Sequence, residues 1–151
     1  MTEARKKDLI KIFEEANKLI SFKTWTRKTT ARDATGKPVA FNDPTACKFC
    51  IMGAIDKAFH TLVYEKKLST YRRIDTPKSY TPTESIIFME AVALEEYGEQ
   101  ELSELNDLKF NKFTQVKDFY NKCIECLNNC DIPIYYIKQT EGPLDYINEP
   151  S

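Results

Sequence analysis

Cys47, Cys50, Ile51, Ala54, Ile55, Ala58, Phe59 and Leu62 fall at the three- and four-residue spacing of a single helical face. An apolar stripe that continuous must be buried against other helices, which commits the chain to a helical core. Ahead of it, Asp43-Pro44 pairs a good N-cap with a proline suited to the first helical position, and predicts that the helix starts there. Gly53 stands inside the stripe. A mid-helix glycine costs about 1 kcal/mol relative to alanine, so it marks a place where another backbone comes close.

Three further stretches carry the same period. From about Glu3 to Ser21, Leu9, Ile12, Phe13, Ala16, Leu19 and Ile20 form one stripe, with lysines and glutamates opposite. Thr81-Pro82-Thr83-Glu84 reads as a capping box opening a third helix, with Ile87, Phe88, Ala91, Val92 and Tyr97 as its buried face and Gly98 as its stop. A helical turn is expected near Glu101–Leu105. The last long helix runs from about Thr114 to Asn128, with Val116, Phe119, Tyr120, Cys123, Cys126, Leu127 and Cys130 along one side. Between the first two helices, Asp33-Ala34-Thr35-Gly36-Lys37-Pro38 is turn chemistry, flanked by β-prone pieces that fit a small hairpin near residues 28–42. Residues 65–80 read as a polar connector. The tail after Pro133, with Tyr135, Tyr136 and Tyr146, reads as a short strand plus an arm.

The expected fold class is mainly α: about four helices around one core over residues 1–132, then an arm at 133–151. A chain of 151 residues buries roughly 70% of its unfolded surface, enough to need no staples. A net charge of −1 disfavours nucleic acid as the partner. No stretch approaches the ~18 apolar residues of a membrane span, and the charged N-terminus has no apolar signal region, so a cytoplasmic location is expected. Five cysteines in a reducing compartment are expected as thiols.

Two CxxC pairs invite a zinc reading: Cys47 with Cys50, and Cys123 with Cys126. Both fall within expected helices on the apolar stripe, where free cysteine behaves as a small buried hydrophobe. No metal site and no cofactor are therefore expected, and a zinc-stabilised module is kept as an alternative. A Cys50 nucleophile would need a base, and the lone histidine, His60, lies roughly 15 Å along the same expected helix. Lys23, Trp25, Arg27, Lys28, Arg32 and Lys37 interleave cations with an aromatic. A second basic cluster is Lys66, Lys67, Arg72, Arg73 and Lys78. An acidic run, Glu90 to Asp107, stands against them. Such faces are either solvated or steer the chain toward a charged partner or a second copy.

Trp25, then Ala31-Arg32-Asp33-Ala34 with Gly36-Lys37-Pro38-Val39, then Phe49-Cys50-Ile51-Met52-Gly53-Ala54-Ile55, then Asn106-Asp107 ahead of the last helix, form an ordered pattern. It resembles a family of small uncharacterised proteins from phage and bacterial genomes, over roughly Trp25 to Leu127. The resemblance implies a shared helical fold and no activity. Cys50 belongs to the pattern and the other cysteines do not, which counts against a four-cysteine zinc site. It groups Trp25, Cys50, Asn106 and Asp107 as positions expected to meet.

The candidate binding residues are thus Trp25, Arg27, Cys50, Asn106 and Asp107, with no catalytic residue assigned. The leading functional expectation is a non-enzymatic interaction or regulatory protein, phage-encoded and acting on a host protein. It would work through its charged surface and the Trp25 loop, with no membrane contact and homo-oligomerisation left open. Replacing Trp25 and Arg27 is expected to abolish capture of the partner and spare the fold. The rival is a small-ligand or enzymatic pocket centred on Cys50 with Asn106 and Asp107.

Overall fold

The structure is a computed structural model that describes residues 1–70 and 82–140. Most of the described chain is helical. Helix α1, Glu3–Leu19, begins where the Thr2 side chain accepts the Arg5 N–H. Its stripe of Leu9, Ile12, Phe13, Ala16 and the following Ile20 is fully buried. The sequence stripe passes over one member of that face, Asp8, which is equally buried. Its carboxylate accepts the backbone N–H and the hydroxyl of both Ser69 and Thr70. A buried charge is tolerated only when its lone pairs are used in this way.

The expected hairpin is present. Strand β1, Ala31–Arg32, pairs antiparallel with β2, Pro38–Val39, in the register Ala31 to Val39. Asp33 closes the turn by accepting the backbone N–H groups of Thr35 and Lys37. Gly36 there has φ +90°, open to glycine and strained for other residues. On its other edge β1 pairs with a strand the sequence pattern does not announce, β3, Lys48–Phe49.

That third strand displaces the start of the second helix. Helix α2 spans Ile51–Tyr64, not Asp43 onward, and its N-cap is Cys50, whose sulfur accepts the Gly53 N–H. The Asp43 carboxylate is spent locally, on the N–H and hydroxyl of Thr45, which closes a turn instead of opening a helix. Cys47 is consequently exposed and is no part of the apolar stripe. Gly53 does mark a close approach: a Cβ there would lie 2.0 Å from the Thr30 carbonyl oxygen.

Helix α3, Thr83–Tyr97, stops at Gly98 in the left-handed conformation. Ser85, Phe88, Met89, Ala91, Val92 and Ala93 are all buried, so more than one face of α3 is covered. It touches α1, α2 and the two C-terminal helices, which explains why a one-faced pattern describes it poorly. Thr81 of the expected capping box lies outside the described residues. Glu84 instead pairs with Arg5 at 2.6 Å and accepts the Tyr136 hydroxyl. A short helix α4, Leu102–Glu104, runs into a π-helical turn, Leu105–Lys109, and helix α5 follows at Phe113–Asn128. Cys123, Cys126 and Leu127 line the buried face of α5 as expected. Cys130 does not: it lies past the helix end at φ +55°, exposed.

The expected strand after Pro133 is a helix, α6, Ile134–Thr140. Tyr136 is buried from it, edge-on to Phe88 at 5.2 Å. Tyr146, Arg72, Arg73 and Lys78 lie outside the described residues, as does most of the connector. No helix among the described residues is long and apolar enough to cross a membrane.

Two substitutions test this packing. Gly53→Ala should destabilise by about 3 kcal/mol or more, because Thr30 is backbone and cannot swing away. Gly36→Ala has open space and should cost only the left-handed strain of about 1–2 kcal/mol. Thermal melts of the two variants should rank in that order. Asp8 provides a pH test. Burial alone would raise its carboxyl, but the Ser69 and Thr70 donors outweigh burial and hold it below its ordinary value. A depressed carboxyl stabilises the fold above its unfolded value of about 3.9 and loses that contribution as pH falls through the folded one. Asp8→Asn should therefore melt lower than the wild type at neutral pH, by about 1–3 kcal/mol. The gap should close below about pH 4.

Candidate functional site

The segment from Phe22 to Thr30 is held by backbone pairing. The Thr26 N–H donates to the Phe49 carbonyl, and the Phe49 N–H to the Thr24 carbonyl at 2.7 Å. This fixes Trp25 beside β3 and turns its indole toward the π-helical turn. There Trp25 Nε1–H donates to Asn106 Oδ1 at 2.9 Å. The same oxygen accepts the backbone N–H of Ile51, at the start of α2, at 3.1 Å. Asn106 Nδ2 donates to the Thr26 carbonyl and to Asp107 Oδ1. Asp107 Oδ1 also accepts the Lys28 N–H, with Lys28 at φ +69°.

The five candidate residues therefore come together. Trp25, Asn106 and Asp107 form one hydrogen-bonded cluster, and Cys50 immediately precedes Ile51 on its margin. Arg27 lies with its guanidinium 4.5 Å over the Trp25 ring and donates to the Phe110 carbonyl. The cluster is a tie between three chain segments. Asn106 is buried, and each polar atom of its amide has two partners within the protein. An amide so occupied has little left to offer a ligand.

Cys50 is placed as a cap, not as a nucleophile. Its N–H donates to the Thr30 carbonyl and its sulfur accepts from Gly53 at 3.3 Å. Burial pushes the thiol up, against the opposing pull of the Gly53 N–H. His60 is half-buried further along α2, packed on Phe41 at 5.1 Å, with burial lowering its basicity. Burial likewise pushes Cys123 and Cys126 up. Among the described residues, no three His, Cys, Asp or Glu side chains converge as a metal site.

Sequence reasoning passed over several participants. Tyr120 is fully buried and its hydroxyl donates to the Ile51 carbonyl, a second polar tie at the start of α2. Asp56, one turn on, is pushed up to about 6 by burial. Phe22, 79% exposed, stands edge-on to Phe113, whose ring also meets Trp25. Leu108, 70% exposed, projects from the π-helical turn. The available signal was their misfit: neither belongs to an apolar stripe. Lys23 follows Phe22 in the chain and Lys109 follows Leu108, both exposed, as are Lys28 and Lys112. Lys117 lies over the Phe113 ring at 5.7 Å and donates to the Asn17 carbonyl. Exposed apolar side chains and cations thus adjoin each other along the two segments that the Trp25–Asn106 hydrogen bond ties together.

Thiol accessibility checks this placement. In the native protein a thiol probe should titrate Cys47 and Cys130 quickly, and Cys50, Cys123 and Cys126 only after denaturant is added. Fast modification of Cys50 at neutral pH would contradict its role as a buried cap.

The chain belongs to the family of unknown function DUF6197, whose model matches residues 4–124. That span runs from α1 into α5 and includes every residue of the cluster. No curated protein and no solved structure matches the chain.

Proposed function

We propose that this member of DUF6197 is a non-enzymatic interaction protein of the cytoplasm, which docks an acidic, partly apolar protein surface on the face built around Trp25. In a phage setting the target would be a host protein. The observation that carries the reading is the exposure of Phe22 and Leu108 beside Lys23, Lys28, Lys109 and Lys112. Large apolar side chains held open among cations have the composition of a docking surface. Trp25 and Arg27 act beneath that face, as the frame that positions it.

A protein partner suits this face better than a nucleic acid. Arg27 already covers a face of Trp25, and Lys117 a face of Phe113. Base stacking needs open rings. The convergence of Cys50, Asn106 and Asp107 is the argument for the rival ligand or catalytic pocket. The raised thiol and the occupied amide weigh against it.

The hydrogen bond from Trp25 to Asn106 makes the Trp25 and Arg27 pair a poor test, because removing it would disturb the fold. Exposed positions serve instead. The double variant Phe22→Asp with Leu108→Asp should keep the wild-type melting temperature and capture at least about tenfold less partner in a lysate pull-down, a loss of about 1.4 kcal/mol or more. Lys28→Glu with Lys112→Glu should weaken capture, and added salt should weaken it in the wild type. Capture unchanged in both variants would sink the reading.

A further inference from the structure

A second surface complements the first. Between α3 and the link from α5 to α6 runs a groove of about 390 Å³, lined by Ala91, Leu94, Ile132, Pro133 and Ile134, with Glu95 and Asp131 among its walls. Leu94 is exposed and Ile134 is 66% exposed, so apolar surface lies open here as well. Here the accompanying charges are acidic; on the Trp25 face they are basic. The two surfaces sit at opposite ends of α5. Phe113, in the first turn, belongs to the Trp25 face, and Asp131 lies just beyond the last turn. Sixteen residues of helix separate them by about 24 Å.

We propose that the groove receives the Trp25 face of a second copy of this chain, with Leu108 entering between Leu94 and Ile134 while Lys109 and Lys112 meet Glu95 and Asp131. The proposal rests on the docking reading above and adds a second copy to the surfaces that this face docks. Charge complementarity argues for it: exposed Leu108 is followed in the chain by the exposed Lys109 and Lys112, and the apolar groove has Glu95 and Asp131 in its lining. With face and groove about 24 Å apart on one protomer, each contact joins the face of one copy to the groove of another. A protomer cannot fill its own groove with a face at the other end of the same helix. Two copies either close on each other through two such contacts, or add until a larger ring closes or the chain of copies stays open.

Sedimentation velocity tests this. Wild-type protein should show a mean sedimentation coefficient that rises with concentration above that of a monomer, and that falls back when salt is added. Two exposed double variants separate the surfaces: Leu108→Asp with Lys112→Glu removes the face, and Leu94→Lys with Glu95→Lys removes the groove. Each alone should be monomeric with an unchanged circular dichroism spectrum. Mixed together they should form a one-to-one pair and stop there, because only one intact face and one intact groove remain. Wild type that stays monomeric at every concentration overturns the proposal, as does a mixture that does not pair. Assembly by either variant alone overturns the pairing of face with groove. A monomeric wild type that still loses lysate capture on Phe22→Asp with Leu108→Asp would separate failure of self-docking from failure of the docking reading.

Discussion

The fold turns on one buried amide. Asn106 joins the indole of Trp25, the carbonyl of Thr26 and the first N–H of α2, positions far apart in the chain. Each of those groups would be costly to bury alone. Because one side chain satisfies all of them, the loop after α1, the start of α2 and the turn before α5 can be ordered only together. Tyr120 adds the Ile51 carbonyl to the same point. The start of α2 is thereby buried with its polar groups met by side chains and β backbone, with little need for water.

That arrangement accounts for the division of labour on the surface. Trp25 and Arg27 are occupied by the frame, so Phe22, Lys28 and Leu108 are the exposed groups of the proposed docking face. Lys28 owes its position to a left-handed backbone and to Asp107, which receives its N–H. The Lys28 charge is therefore carried on ordered backbone, so the backbone there has little freedom left to lose on binding.

Much of this was legible in the sequence. The stripe of α1 is buried as its period implies, the turn at Gly36 is a hairpin, and Gly98 ends α3. What could not be read depended on competition or on distance. Asp43 is as good an N-cap as the sequence contains, yet Thr45 captures it and the strand at Lys48–Phe49 delays the helix to Cys50. Strands two residues long leave no alternation to detect. The apolar stripe of α1 passes over Asp8, whose partners, Ser69 and Thr70, are remote in sequence. The tail was read as a strand on the strength of its tyrosines. Tyr136 is fixed by Phe88 and Glu84, which no local pattern around it reveals. The grouping of Trp25, Cys50, Asn106 and Asp107 was implied by the family resemblance, and the fold does place them together. Their shared task, a frame beneath the surface, needed three dimensions to see.

The π-helical turn places a demand on chain length. From Leu105 to Phe110 the backbone closes its ring with one residue more than an α-helix uses, the Phe110 N–H reaching the Leu105 carbonyl. Deleting a single residue there would restore the regular period and rotate what lies beyond by about 100° relative to what precedes it. Asn106 and Phe110 could no longer face their partners at once. Over these few residues the spacing matters as much as the side chains, and a gap would be worse tolerated than a substitution.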